Sequence, residues 1–158
     1  MLIVAILVGA SAVEAKTTKR SSKTKTTQSA SKSSTLSVNT FLKLTDKQYN
    51  TYWYKDLSTI KKALKNLGFT ETGEEDGGSY EEEDGALFPM IKDCFQKGST
   101  MVDIYISQSY GGIKYIGIIF SSSAEKNQFL KTVKAKSRGS NICTWQEGGM
   151  TFLGVYEH

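Results

Sequence analysis

The side chains that could do chemistry in this chain are carboxylates, tyrosines and two cysteines, because its one histidine is the last residue, His158. Catalytic triads and Cys-His pairs place an imidazole beside the nucleophile, and many zinc sites use histidine ligands. With a single histidine, the sequence disfavours all of these sites. The Gly-Gly pairs of the sequence lack the lysine and serine of a phosphate-binding loop, so they indicate turns.

The densest group of carboxylates is the segment 71–84, which holds eight of them in fourteen residues. Flexible loops rich in oxygen ligands suit Ca²⁺, and Glu74, Asp76 and Glu83 take EF-hand-like positions when Thr72 is counted as the first. An EF-hand begins with aspartate, whereas this segment has threonine there. The segment therefore predicts a candidate calcium site. The alternatives are a solvated acidic surface, or a counter-charge for a basic partner or for the chain's own basic segment Lys16–Lys32.

Carboxylates could also serve as the acid and base of a small hydrolase, since that chemistry needs no imidazole. The candidates are Asp103, in a strand-like run, and the cluster Glu81–Asp84. We expect Asp103 to share a strand face with Met101 and Tyr105, where burial without a partner would raise its pKa. The alternative places Asp103 at the rim of a sheet.

Four aromatic residues crowd the six positions from Tyr49 to Tyr54. Tyr49 and Trp53 fit the apolar stripe of a predicted helix, which leaves Tyr52 and Tyr54 as surplus. Aromatic rings stack on sugars in glycan-binding proteins, so Tyr52 and Tyr54 are candidate ligand-binding residues. Exposed tyrosines are also common on ordinary surfaces.

Cys94 and Cys143 are the only two cysteines. A pair of cysteines in an exported protein predicts a disulfide, and closing a loop of about fifty residues would stabilise the fold by roughly 4 kcal/mol. The alternative is that both are small buried apolar side chains. No Cys-x-x-Cys spacing suggests a reactive pair.

Periodicity predicts the elements that must position these residues. Val38–Leu44 alternates apolar and polar residues, as a half-buried strand does. A capping-box pattern at Thr45 and Gln48, followed by apolar residues at steps of three or four, predicts a helix from about Asp46 to Leu67, with a break near Asp56 left open. Phe69–Glu83 is polar and rich in glycine, which indicates a loop with short ragged strands at most.

Further along, Pro89 and the spacing of its apolar neighbours predict a short helix that ends at Gly98. Ser122 with Glu125 forms another capping box, so we predict a helix that ends before Gly139.

Two Gly-Gly pairs between β-branched and aromatic runs predict hairpins at about 100–121 and 141–156. In the second hairpin a two-residue turn places Trp145 opposite Phe152, and both faces of each hairpin are apolar. The chain is thus predicted to form a single α+β domain whose largely antiparallel sheet is packed by about three helices. If helices cover only one face, the other must meet a ligand, a partner or a second copy of the chain.

The N-terminal segments differ from the rest. The apolar run that opens the chain is typical of a secretory signal peptide, which we assign to residues 1–15, and it is shorter than the roughly 20 residues that span a bilayer. Residues 16–37, rich in Ser, Thr and Lys, predict a disordered basic linker with a charge of +6. Residues 38–158 form the predicted α+β globular domain, with 14 basic and 15 acidic side chains and hence a charge of −1.

Together these patterns predict an exported protein that is periplasmic, at the cell surface or extracellular. A domain without a basic surface does not indicate nucleic-acid binding. We expect a noncatalytic binding or interaction module for a protein or envelope polymer, with the carboxylate-dependent hydrolase as the alternative and no cofactor required unless calcium binds.

Overall fold

The computed structural model describes residues 40–156, so the signal peptide 1–15, the linker 16–37 and His158 lie outside the described residues. Three helices, a two-stranded hairpin and a six-stranded antiparallel sheet make up this part, which confirms the α+β class and the largely antiparallel sheet. The helices are α1 (Thr40–Leu44), α2 (Leu57–Asn66) and α3 (Ser123–Lys136). The small hairpin pairs β1 (Thr45–Gln48) with β2 (Thr51–Tyr54).

The large sheet has the strand order β3-β4-β5-β6-β8-β7. Its strands are β3 (Thr70–Glu81), β4 (Leu87–Lys97), β5 (Thr100–Ser107), β6 (Ile113–Ile119), β7 (Ile142–Glu147) and β8 (Met150–Val155). None of the helices within residues 40–156 is long and apolar enough to cross a membrane.

One face of the large sheet packs against the helices and the small hairpin, and this contact forms the core. Every second residue of a strand points to the same face, so the apolar residues on that face form a continuous layer. Fully burying each such side chain stabilises the fold by about 1.5–3 kcal/mol. The core combines sheet residues Val102, Ile104, Ile116, Ile118 and Leu153 with helix residues Phe41, Ile60, Leu64, Phe129 and Val133.

The predicted helix from Asp46 to Leu67 is wrong in its first half, where the chain forms the hairpin β1–β2. The turn between these strands contains Tyr49 with a positive φ of 55°, which a helix does not allow. The Asp56 side chain accepts a hydrogen bond from the Thr59 amide (2.9 Å) and so caps α2, which begins at the next residue. The strand propensity of the aromatic run overrode a helical spacing that was accidental.

Three further element predictions are wrong. Within Val38–Leu44 the described residues, from Thr40 onward, form the short helix α1, while the predicted loop 69–83 is the twelve-residue strand β3. The predicted helix after Pro89 is the strand β4, whose apolar residues fit both periods. Register shifts in β3 opposite β4 leave room for Pro89, which cannot donate a ladder hydrogen bond.

Both Gly-Gly hairpins are confirmed, as β5–β6 around Gly111 and β7–β8 around Gly148. Trp145 lies opposite Phe152 as predicted. The helix α3 is confirmed as well, and its cap Ser122 accepts a hydrogen bond from the Glu125 amide at 3.2 Å.

Candidate open-face binding site

The second face of the large sheet carries no helix in the described part of the chain, and we call it the open face. Its central strand, β5, contributes Met101, Asp103 and Tyr105, which alternate with the core residues of the same strand. Met101 and Tyr105 are partly exposed on this face, whereas Asp103 is buried. Contiguous exposed apolar patches mark interaction surfaces.

Four aromatic rings form a connected cluster on the open face. The rings of Tyr105 and Tyr115 lie 4.6 Å apart between centroids, and those of Tyr115 and Trp145 lie 5.6 Å apart. The Trp145 and Phe152 rings are nearly parallel, at 12° and 5.1 Å. All four residues are neither buried nor fully exposed, so the cluster presents part of its area to solvent.

Two glycines allow these rings to approach the sheet. A Cβ atom on Gly154 would lie 2.9 Å from both Sγ of Cys143 and Cζ3 of Trp145, which is closer than real Cβ contacts, so the thiol and the indole together cover the bare backbone of Gly154. A Cβ atom on Gly117 would collide with the side chain of Met150 and would lie 3.0 Å from Phe152 Cε1. The glycines thus set the height of the rings above the sheet.

A shallow groove of about 420 Å³ runs along one end of the aromatic cluster. Its aromatic lining comprises Tyr80, Tyr115, Trp145 and Tyr156. Its charged lining comprises Glu81, Glu82 and Lys114. This volume falls within the usual range for small-molecule sites, about 300–1,000 Å³.

Lys114 extends from β6 toward Tyr80 and Glu82, which line the groove at and just after the end of β3. Its Nζ lies 4.2 Å from the ring centroid of Tyr80 and 5.6 Å from that of Tyr110, and it is 3.9 Å from Oε1 of Glu82. An ammonium over aromatic faces is attracted by about 0.5–1 kcal/mol at an exposed site. The tyrosine faces under Lys114 are therefore already occupied by a cation.

A polar group lies at the centre of the open face. The side chain of Asp103 is only 2% exposed, its Oδ2 lies 3.7 Å from Nζ of Lys92, and its Oδ1 has no hydrogen-bond partner in the described residues. Lys92 in turn lies 2.9 Å from Oε2 of Glu75. Burial raises the pKa of Asp103 against the opposing charge of Lys92. The prediction that Asp103 shares a face with Met101 and Tyr105 is confirmed.

The carboxylates proposed for a hydrolase do not converge. Asp103 pairs with Cys94 and Glu81 pairs with Leu87, and these two partners lie seven residues apart on β4. At a strand rise of about 3.3 Å per residue, roughly 23 Å separates Asp103 from Glu81. Pairs of catalytic carboxylates in glycosidases are about 5–9.5 Å apart.

Tyr52 and Tyr54 point into the protein. Tyr52 is 2% exposed, and its hydroxyl donates a hydrogen bond to the Lys136 carbonyl at 2.6 Å. The Tyr54 hydroxyl donates to the Leu153 carbonyl at 2.5 Å. Strand alternation exposes Trp53 and the turn between the strands exposes Tyr49, which is the reverse of the helical assignment. The candidate stacking tyrosines therefore hold the small hairpin to the domain.

The proposed calcium ligands lie along the edge of the sheet. Glu74 and Asp76 belong to the extended strand β3, and Glu83 follows in the turn after it. Within residues 40–156, no three His, Cys, Asp or Glu side chains are arranged so that they could hold a metal ion. Asp76 Oδ1 accepts a hydrogen bond from the Gly78 amide at 2.8 Å. Calcium binding at this segment stays a prediction.

Cys94 and Cys143 are both free cysteines. They lie on β4 and β7, with three strands between them. Neighbouring strands are about 4.8 Å apart, so roughly 19 Å separates the two positions, whereas disulfide Cα atoms lie within about 7 Å. Cys94 is buried, and desolvation raises the pKa of its thiol to about 11, with the nearby Asp103 charge adding to the effect.

Sequence reasoning did not single out Tyr80, Tyr115 or Tyr156 as members of a site. Tyr80 lies on β3, Tyr115 lies on β6 and Tyr156 follows β8, so they meet only through the sheet order, which places β8 between β6 and β7. The one usable signal was the cross-strand pair of Trp145 and Phe152 beside glycines.

Comparison with protein-family models, curated proteins and solved structures finds no match to this chain.

Proposed function

We propose that this protein is an exported, noncatalytic binding module that takes a protein or an envelope polymer on its open face. The single observation that carries the proposal is the aromatic cluster of Tyr105, Tyr115, Trp145 and Phe152, which the helices leave uncovered. Tryptophan and tyrosine dominate binding energies because they bury large, rigid areas at small cost in entropy.

The chemistry of the face supports binding over catalysis. Asp103 is enclosed beneath the surface and is paired with Lys92, which removes it from contact with a substrate. The accessible groups around the groove are aromatic rings, two carboxylates and an ammonium, which can orient a ligand by stacking and hydrogen bonds. The basic linker 16–37 would hold such a module near anionic surfaces by screened attraction.

A matched pair of tryptophan variants tests the proposal. Trp145→Ser removes the largest ring of the open face, and Trp53→Ser removes the other tryptophan, which is 45% exposed on the small hairpin. The assay is cosedimentation of purified protein with envelope material from the organism that encodes it, with circular dichroism to verify folding. We expect binding to weaken about tenfold or more in Trp145→Ser and to be unchanged in Trp53→Ser.

The result that contradicts the proposal is equally clear. If folded Trp145→Ser binds envelope material as the unchanged protein does, the open face is not the binding surface. If both variants lose binding equally, the effect does not belong to the open face.

A further inference from the structure

The groove at the end of the open face combines flat aromatic rings with hydrogen-bonding groups at its rim. We propose that it binds a glycan built of neutral or amino sugars, with a sugar ring placed against Trp145 and Tyr115. This inference rests on the proposed binding function and names the ligand class of the same surface.

The aromatic lining suits the apolar face of a pyranose. Trp145 stacks nearly parallel on Phe152, which covers one face of the indole and fixes its plane, and its Cζ3 lies over Gly154. The indole is still partly exposed and lines the groove with its remaining surface. Sugar C–H groups are weakly positive and pack favourably against the negative face of an aromatic ring. Because the rings are supported from the sheet, little side-chain entropy remains to be lost when a ligand binds.

The rim supplies partners for sugar hydroxyls. Glu81 and Glu82 offer carboxylate oxygens as acceptors, and Tyr156, which is 57% exposed, carries a hydroxyl that is hydrogen-bonded to Cys143 and still has a lone pair for a ligand. Among the described residues Glu81 makes no ion pair, so its acceptors are available to a ligand. Hydrogen bonds to charged acceptors contribute more than hydrogen bonds to neutral acceptors do.

The charge of the groove decides between classes of glycan. Two carboxylates and one ammonium give a net charge of −1, and the ammonium of Lys114 is already paired with Glu82. An acidic sugar would face an unpaired carboxylate, which disfavours uronic acid and phosphate-bearing polymers. A quaternary ammonium ligand is disfavoured as well, because Lys114 occupies the faces of Tyr80 and Tyr110.

Fluorescence of Trp145 offers a direct test. The full chain contains two tryptophans, so Trp53→Phe leaves Trp145 as the reporter. The titrants are cellohexaose and hexa-N-acetylchitohexaose as neutral probes, glucosamine hexamer as the amino-sugar probe, and hexagalacturonate as the acidic probe. We expect a saturable change with at least one neutral or amino probe and binding of the acidic probe at least tenfold weaker.

Two added variants locate the site. Tyr156→Ala removes a ring at the rim without disturbing the core, and we expect at least fivefold weaker sugar binding. Tyr49→Ala, which removes an 89% exposed ring from the small hairpin, is the matched control and should leave binding unchanged. Equal binding in Tyr156→Ala and the parent overturns the assignment to this groove.

The outcome also separates this inference from the proposed function. If no sugar alters Trp145 fluorescence while envelope material still binds through Trp145, the glycan inference is wrong and the binding function stands. If the acidic probe binds most tightly, the charge argument is wrong and so is the inference. A concentration-dependent dimer in sedimentation velocity, with the Trp145 signal following dimer formation and not sugar, assigns the open face to a second copy and overturns both.

Discussion

Replacing the buried carboxylate by an amide, Asp103→Asn, should stabilise the protein at neutral pH. Asp103 is 2% exposed and its Oδ1 lacks a hydrogen-bond partner in the described residues. The amide keeps a polar atom at the unpartnered place but removes the charge. A neutral unpartnered group costs about 1–3 kcal/mol, and a buried carboxylate costs more because its desolvation penalty is larger. The attraction of Lys92 offsets part of that cost, but this ammonium is 22% exposed and is shared with Glu75. We therefore expect a gain near the lower end, about 1 kcal/mol in the free energy of unfolding at pH 7.

The pH dependence of stability shows whether the charge of Asp103 stabilises or destabilises the folded protein. Because burial raises the pKa of Asp103 in the folded protein, the folded state binds this proton more tightly than the unfolded chain does. The contribution of Asp103 to stability is fully present below its ordinary pKa of 3.8 and is lost as pH rises through the raised value. The advantage of Asp103→Asn should thus be largest at pH 7 and shrink as pH falls toward about 4.

Urea denaturation followed by far-ultraviolet circular dichroism at several pH values measures this difference. Glu74→Gln, which removes an exposed carboxylate from the neighbouring edge strand, is the control and should change stability by less than about 0.5 kcal/mol. The reasoning is refuted if Asp103→Asn is less stable than the unchanged protein at pH 7 and the difference persists at pH 4. In that case the attraction of Lys92 outweighs the cost of burial.

Three further changes test other parts of the structure. Lys61→Met removes the ammonium that lies 2.7 Å from the buried Asp93, so unfolding should become easier by about 2 kcal/mol in urea, while the exposed Lys62→Met should have almost no effect. Gly154→Ala places a Cβ atom 2.9 Å from the Trp145 ring and should lower stability by about 1–3 kcal/mol and shift tryptophan emission. Gly112→Ala, with open space around the new atom, is its control, and equal effects would contradict the close approach of the indole. The thiol of Cys94 has a pKa of about 11, so it should resist iodoacetamide at pH 7.5 until the protein unfolds. Mass spectrometry of the modified peptide measures the reaction. Rapid labelling of the folded protein would contradict this prediction and show that Cys94 is accessible.

The parts of the fold that were predictable from sequence are those in which local chemistry is strong. Gly111-Gly112 and Gly148-Gly149 set the two hairpins, and Ser122 with Glu125 set the start of α3. These signals act between residues close in sequence, so they do not depend on the rest of the fold.

Elsewhere tertiary pairing overrode local pattern. The segment after Pro89 alternates on two faces as β4, although the same apolar residues fit a helix. The strand β3 is acidic and contains glycine bulges, features that suit a sheet edge and resemble a loop when read alone. Pairing with β4 holds β3 in place, and no local spacing encodes that partnership.

The candidate site was the least predictable part, because it depends on strand order. Tyr115 and Trp145 come from β6 and β7, which meet through the intervening β8, and Tyr80 comes from the opposite edge of the sheet. Alternation predicts which face each residue occupies, but only the order of strands makes them neighbours.

Part of the aromatic cluster has a structural role, because its rings cover the bare backbone of glycines in the sheet. Trp145 covers Gly154, and Met150 with Phe152 covers Gly117, so these side chains would be useful in any sheet that contains such glycines. Tyr80 and Tyr156 cover neither glycine, yet both line the groove, and Tyr156 remains 57% exposed. The ring of Tyr80 has a structural role, because it stacks on Phe88 at 5.4 Å and lies under the Lys114 ammonium, whereas Tyr156 is left exposed and a stacking site would use it as a wall. The decisive comparison is therefore Tyr156→Ala, since a loss of ligand binding without a loss of stability separates a binding role from a structural one.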